Sequence, residues 1–90
     1  MALQVLKKEG IFYLKGKINT LNSRSFIILF EHNIRQLKKT VVNIDSVVEI
    51  DKEGMKAIRI LNAIALKKKK MFSIIGFGSK QIYDDLSTHD

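Results

Sequence analysis

Four acidic side chains lie within nine residues near the centre of the sequence, where their oxygens could bind a divalent cation. They are Asp45, Glu49, Asp51 and Glu53. Carboxylates are the ligands that Ca²⁺ and Mg²⁺ prefer. However, Asp45 suits a turn and Asp51 suits the cap of a helix, so two of the four have structural explanations. The sequence therefore predicts no metal site, and no motif in it indicates a cofactor.

Neither histidine has a partner at a spacing that suits metal binding or acid–base catalysis. His32 falls near the polar side of a predicted helix, and His89 is the penultimate residue. Because the chain has no cysteine, thiolate catalysis, disulfides and cysteine-ligated zinc are also excluded. We therefore expect a protein that is not an enzyme.

Two further segments have residue types that could bind phosphate. Residues 76–79 (Gly-Phe-Gly-Ser) precede a predicted helix, where backbone N–H groups could hold an anion. The segment lacks the length and the lysine–hydroxyl pair of a Walker loop, so a tight turn is predicted instead. The lysines at 67–70 could contact nucleic acid, but no aromatic side chain is interleaved with them for base stacking. Nucleic acid is therefore not the expected partner.

The chain is strongly basic, with a formal net charge of +7. This charge is compatible with an acidic partner, with a phosphate-bearing partner, or with a lysine-rich surface that keeps a small protein soluble. The length suits one domain over residues 1–90, with a core over about residues 3–86. No apolar run reaches the roughly 18 residues of a membrane span, and no signal-peptide pattern is present. We expect no membrane insertion and a cytoplasmic location.

The elements that would position these residues begin with a β-hairpin. Residues 3–6 and 11–14 have the composition of strands and bracket a turn at residues 7–10. Gly10 can provide the positive φ that such a turn requires. The second strand is predicted to end in a loop over residues 15–19.

A first amphipathic helix is predicted over residues 23–37, with Asn22 as its N-cap. Ile28 falls on its charged side. The predicted buried face consists of Phe26, Ile27, Phe30, Ile34 and Leu37.

The β-branched segment 41–44 predicts a buried strand, and residues 45–50 are predicted to form a loop or a short extended connection. Asp51 is predicted to cap a second helix that runs to about Leu66. The buried face of this helix is predicted to consist of Gly54, Ala57, Ile58, Leu61, Ile64 and Ala65.

Three further segments are predicted: a strand at residues 71–75, a flexible turn at 76–78 and a short helix at 79–86. The order β-β-α-β-α-β-α predicts an α/β fold with a mixed, partly parallel sheet and helices packed on it.

Three segments, taken in order, resemble the motifs of STAS domains, the fold of bacterial anti-sigma factor antagonists. Residues 42–54 resemble the strand and the loop, reading Ile-Asp-Ser-Ser-Gly, that precede the family's second helix. Residues 16–19 (Gly-Lys-Ile-Asn) are similar to a Gly-x-Leu-Asp turn, and residues 74–77 (Ile-Ile-Gly-Phe) to a strand that ends in Val-Gly-Leu. The order and spacing agree over roughly residues 11–86, nearly the whole chain.

This resemblance implies a STAS-like single domain with helices packed on one face of a mixed sheet, and binding rather than catalysis. In the family, the loop and the start of the second helix dock on an anti-sigma factor, often a histidine-kinase-like ATPase. That kinase phosphorylates the serine after the motif aspartate, and phosphorylation releases the partner. The resemblance therefore implies a protein partner of this class.

The sequence departs from the family at the phosphorylation site itself. Lys52 and Glu53 hold the two serine positions, whereas Asp51 and Gly54 are kept. Phosphoserine would bring a charge of about −1.5 to −2, whereas lysine brings a positive charge and has no hydroxyl. We therefore expect no phospho-switch at this site.

The predicted partner-binding surface lies between residues 47 and 59, with Lys52, Lys56 and Arg59 presenting positive charge. Its residues are Val47, Glu49, Asp51, Lys52, Glu53, Gly54, Lys56 and Arg59. Two other functions stay open: a cytoplasmic STAS subunit of a membrane transport complex, and a basic nucleic-acid-binding protein.

Overall fold

The computed structural model describes residues 3–88, which form four strands and three helices in the predicted order. The strands are β1 (Gln4–Lys8), β2 (Ile11–Ile18), β3 (Lys39–Ile50) and β4 (Met71–Ile75). The helices are α1 (Ser23–Gln36), α2 (Lys52–Lys68) and α3 (Ser79–Thr88).

The strands make one mixed sheet in the order β1-β2-β3-β4. β1 pairs antiparallel with β2, whereas β3 is parallel to both β2 and β4. The helices α1 and α2 make the two crossovers between parallel strands. The carboxyl ends of β2, β3 and β4 therefore lie at the end of the domain where α1 and α2 begin. The predicted α/β fold class and mixed sheet are confirmed.

The hairpin turn is shorter than predicted, because β1 continues to Lys8. Only Glu9 and Gly10 connect the strands, with φ angles of 51° and 81°. Positive φ at both central residues is typical of the two-residue type I′ turn, whose twist matches that of the flanking strands.

The two central strands are also longer than the sequence predicted. The expected loop at residues 15–19 is mostly strand, because β2 runs to Ile18, and the expected connection at residues 45–50 is the second half of β3. The pairing of β2 with β3 shifts register twice, between Tyr13 and Lys15 and between Gly16 and Lys17. Buried and exposed residues still alternate along β2, whereas the alternation in β3 ends after Ile44. The second half of β3 therefore lacks the sequence signal for a strand.

The core lies between the helices and one face of the sheet. Alternate residues of β2 and of the first half of β3 are buried, and they pack with residues of all three helices in one core. The buried apolar residues are Phe12, Leu14, Ile18, Phe26, Phe30, Ile34, Val42, Ile44, Ala57, Ile58, Leu61, Ala65, Ile74 and Ile82. The predicted buried faces of α1 and α2 supply most of the helical half of this core.

Asn22 precedes α1 as predicted, but its side chain does not cap the helix. Its amide instead donates to the carbonyl oxygen of Lys17 at 2.8 Å, and its Oδ1 accepts from the backbone N–H of Asn19 at 3.0 Å. The side chain therefore holds the β2–α1 turn rather than the helix end. No helix within residues 3–88 is long and apolar enough to cross a membrane.

Candidate partner-binding site

Asp51 caps the start of α2, as the sequence predicted. Its Oδ1 accepts from the backbone N–H of Gly54 at 2.8 Å. Its Oδ2 accepts from the backbone N–H and the hydroxyl of Thr20, at 3.1 and 3.2 Å. The bond from Gly54, together with those from Thr20, lowers the pKa of the Asp51 carboxyl because each stabilises the ionised form. The carboxylate thus joins the β2–α1 turn to the start of α2.

Gly54 lets the first turn of α2 lie against the end of β2. A Cβ at this position would overlap the carbonyl oxygen of Ile18 and lie 3.0 Å from Cγ2 of Ile50. The Ile18 oxygen also accepts from the backbone N–H of Asp51 at 3.1 Å. Only glycine allows this approach, because any other residue would place a side-chain atom inside the contact.

Charged side chains surround the start of α2, and the structure brings five predicted residues into one depression of about 570 Å³. These five are Asp51, Lys52, Glu53, Lys56 and Arg59. Lys52, Glu53 and Lys56 are exposed and form no ion pair with another residue in the 3–88 range.

Arg59 differs from the two lysines of this depression. Its guanidinium donates to the carboxylate of Asp85 on α3 at 2.8 Å, and its side chain is about two-thirds buried. Arg59 therefore ties α2 to α3, and its charge is partly compensated by Asp85. The positive charge available at the site comes from Lys52 and Lys56.

Val47 and Glu49, the remaining predicted residues, line a neighbouring groove of about 380 Å³ between the end of β3, α2 and α3. Val47 is half-buried, and Glu49 pairs with Lys17 across the strands at 3.6 Å. The groove and the depression share Ile50, Met55 and Asp85, so the predicted residues belong to one continuous surface.

The groove also contains two exposed apolar residues that the sequence analysis did not name, Val48 within the predicted range 47–59 and Phe77 outside it. Val48 is 70% exposed and Phe77 is 88% exposed. Phe77 lies in the turn between β4 and α3, and its backbone N–H donates to Oδ1 of Asp45 at 2.7 Å. The turn is therefore anchored to β3, whereas the sequence predicted a flexible one.

A local sequence signal for Phe77 did exist. It lies between Gly76 and Gly78, which have φ angles of 106° and 90°. Glycines in this region of φ make a turn that side-chain-bearing residues rarely adopt, so an aromatic residue between them is displayed at the surface. The contact with Asp45, 32 residues away in sequence, carries no comparable signal.

Three of the four acidic residues between positions 45 and 53 make separate structural contacts. Asp45 holds the Phe77 turn, Glu49 pairs with Lys17, and Asp51 caps α2. No group of three or more metal-ligating side chains occurs within residues 3–88. His32 is exposed on α1, and His89 lies outside the described residues.

Comparison with known proteins gives matches in structure but not in sequence. No protein-family profile matches the chain, and no curated protein sequence matches it. The anti-sigma factor antagonist SpoIIAA in its unphosphorylated form superimposes with a TM-score of 0.62 at 8% identity, covering 97% of this chain and 99% of SpoIIAA. An anti-sigma factor antagonist from Mycobacterium paratuberculosis superimposes with a TM-score of 0.65 at 15% identity, covering 96% of this chain and 76% of that protein.

These superpositions cover nearly all of the chain. The fold is therefore STAS-like, as the sequence motifs implied. At such low identity the likeness concerns the fold, and function has to be argued from the site.

Proposed function

We propose that this protein is a non-enzymatic, cytoplasmic protein-interaction module that binds a regulatory protein partner through the surface formed by the end of β3, the start of α2 and the β4–α3 turn. The partner class that we propose is an anti-sigma factor or a histidine-kinase-like ATPase. The fold likeness to two anti-sigma factor antagonists supports this choice.

The observation that carries the proposal is the exposure of Phe77 and Val48 on one groove. Aromatic side chains at the centre of an interface commonly contribute the largest share of binding energy. The Phe77 turn is already held by Asp45, so little conformational entropy would be lost when a partner orders it. A partner with an apolar side chain that enters this groove would remove both residues from water.

The charges beside the groove favour a partner with an acidic rim. Lys52 and Lys56 are exposed and outside any ion pair of the described residues, whereas Glu49 and Arg59 already have partners of opposite charge. Unpaired charges at the rim of an interface chiefly raise the association rate and select the partner. The two lysines therefore assist encounter, and the apolar groove holds the complex.

Regulation by phosphorylation of α2 is not part of this proposal. Lys52 and Glu53 have no hydroxyl, and the carboxylate of Asp51 is occupied by Thr20 and Gly54. Complex formation is then independent of phosphorylation at residues 52 and 53.

The test is direct binding of purified candidate partners, namely the anti-sigma factors and histidine-kinase-like ATPases encoded in the same genome. We expect one of them to bind the wild-type protein. The Phe77→Ala variant should dissociate from it at least tenfold faster, and Lys52→Glu should associate more slowly.

Two matched variants serve as controls for that experiment. Ile28→Ala removes an exposed apolar side chain from the outer side of α1, and Lys15→Glu makes the same charge reversal on the open face of the sheet. Both should bind as the wild type does. If no candidate binds, or if Phe77→Ala and Ile28→Ala have equal affinities, the proposal is wrong.

A further inference from the structure

Six lysines converge at the end of the domain opposite the candidate partner-binding site. One of them lies in the connection from α1 to β3 and one is the first residue of β3, and the other four span the end of α2 and its connection to β4. We call this surface the lysine pole; it consists of Lys38, Lys39, Lys67, Lys68, Lys69 and Lys70.

The parallel sheet brings these two sequence segments together. Lys39 on β3 is in register with Met71 on β4, and the backbone N–H of Met71 donates to the carbonyl oxygen of Lys38 at 3.0 Å. Lys69 ends α2 in a left-handed conformation with a φ of 58°, and the backbone N–H of Lys70 donates to the carbonyl oxygen of Ala65 at 2.8 Å. The lysine backbones are thus held in place by secondary structure.

The charge of the pole is only slightly compensated. Five of its lysines are exposed and Lys70 is half-buried, and none forms an ion pair within residues 3–88. Glu9 in the hairpin turn lines a shallow pocket together with Lys39. The negative end of the α2 dipole accounts for cations at Lys67 and Lys68. The dipole does not account for Lys38 and Lys39, which lie far from the end of α2 in the sequence. Like charges that share one end of the domain repel one another.

Two exposed aliphatic side chains accompany these lysines. Leu66 is 70% exposed and directly precedes the lysine run, and Met71 is 58% exposed and directly follows it. Aliphatic side chains cannot stack on nucleic-acid bases, which is how basic grooves hold single strands. They can enter the boundary between headgroups and acyl chains of a bilayer, while lysines pair with anionic headgroups.

We propose that the lysine pole binds the surface of an anionic lipid bilayer, with Leu66 and Met71 entering the headgroup region. The association is peripheral, since the contacts come from two connections and no spanning element takes part. The partner-binding site lies at the other end of the parallel strands and faces away from the bilayer. The protein could therefore hold a partner while it lies on a membrane.

The test is co-sedimentation with vesicles of phosphatidylcholine alone and of phosphatidylcholine with 30% phosphatidylserine, a composition chosen at roughly the anionic content of a cytoplasmic leaflet. The wild type should bind only the anionic vesicles. Each lysine near such a surface raises partitioning about fivefold, so the Lys38→Gln, Lys67→Gln, Lys68→Gln triple variant should bind on the order of 100-fold more weakly.

A matched triple variant controls for net charge. Lys15→Gln, Arg24→Gln, Lys80→Gln removes the same charge from exposed positions away from the pole, and its binding should fall by no more than about threefold, because screening limits distant charges. Equal losses in the two triple variants would overturn the proposal, since they would show a response to net charge alone.

A second pair of variants tests the apolar contribution. Leu66→Gln should weaken vesicle binding about tenfold, whereas Leu21→Gln, which changes an exposed leucine at the opposite end, should leave it unchanged. Tighter binding to duplex DNA or RNA than to anionic vesicles at the same salt would assign the pole to nucleic acid and overturn the proposal. Thermal melts should show that all four variants are folded at the temperature of the assay, because every altered side chain is exposed. The triple variant that includes Lys67→Gln and Lys68→Gln should melt a few degrees lower, because both lysines stabilise the negative end of α2.

Discussion

The Gly54→Ala variant, which adds one methyl group, tests whether the first turn of α2 packs closely on the end of β2 at the candidate site. In an ordinary helix, replacing glycine with alanine stabilises the protein by up to about 1 kcal/mol. Here the new Cβ would overlap the carbonyl oxygen of Ile18 and crowd Cγ2 of Ile50. Both neighbours belong to strands of the central sheet, so α2 has to move instead.

The magnitude follows from the contacts that such a movement would disturb. Overpacking of a tight contact costs about 1–3 kcal/mol. The displacement also lengthens the bond from the backbone N–H of Asp51 to Ile18, and those from Thr20 to Asp51, each contributing about 0.5–1.5 kcal/mol when formed. After subtracting the helix-propensity gain, we expect Gly54→Ala to lose about 2 kcal/mol, which lowers the Tm by roughly 8–16 °C in a domain of this size.

Thermal and urea unfolding, followed by circular dichroism, measure this loss. Ala63→Gly is the matched control, because Ala63 is exposed on the same helix and the change is the reverse one. It should lose about 1 kcal/mol through helix propensity alone. If Gly54→Ala is as stable as the wild type or more so, ordinary helix propensity governs both positions. The close packing of α2 on Ile18 would then be refuted.

Three other predictions concern the core, the helix cap and a buried hydroxyl. Leu61→Ala should lose about 2–5 kcal/mol in urea unfolding because Leu61 is fully buried, whereas Arg59→Ala should lose about 1 kcal/mol or less because its pair with Asp85 is partly solvated. Asp51→Asn keeps a side chain that can cap the helix but cannot ionise. Because the pKa of Asp51 is lowered in the folded protein, ionisation of its carboxyl makes the wild type more stable than the variant. This difference in stability should be complete above pH 3.8 and should disappear as the pH falls below that value. Thr40→Val should raise the Tm, with a gain of about 1 kcal/mol, because the buried Thr40 hydroxyl has no hydrogen-bond partner in the described part of the chain.

Each of these predictions has an outcome that contradicts it. Equal losses for Leu61→Ala and Arg59→Ala would mean that the buried face of α2 is misassigned. A constant difference in Tm between wild type and Asp51→Asn from pH 6 to pH 2 would show that the hydrogen bonds from Gly54 and Thr20 do not lower the pKa of Asp51. A lower Tm for Thr40→Val would mean that the hydroxyl makes a bond important for folding.

The site was only partly predictable from the sequence, for reasons that differ between residues. Asp51 and Gly54 were found because capping and close helix packing select particular residue types near a helix start. Phe77 was not named, although its flanking glycines indicated an exposed turn. Val48 lies within the predicted range 47–59 but was not named, because an exposed apolar residue in a strand has no distinctive local pattern. The pairing of Arg59 with Asp85 was not predicted, because the two residues are 26 positions apart in the sequence.

The sequence by itself determined the order of elements and the buried faces of α1 and α2, because periodicity, β-branched runs and caps act over a few residues. The STAS-like fold was implied by the resemblance of three segments to the motifs of that family. Only the tertiary structure decided the full lengths of β2 and β3, since their register shifts depend on pairing between strands. It also decided which charges remain unpaired and how the lysines of two distant connections come to share one end of the domain. Such features arise from contacts between distant segments, and no local pattern of residues encodes them.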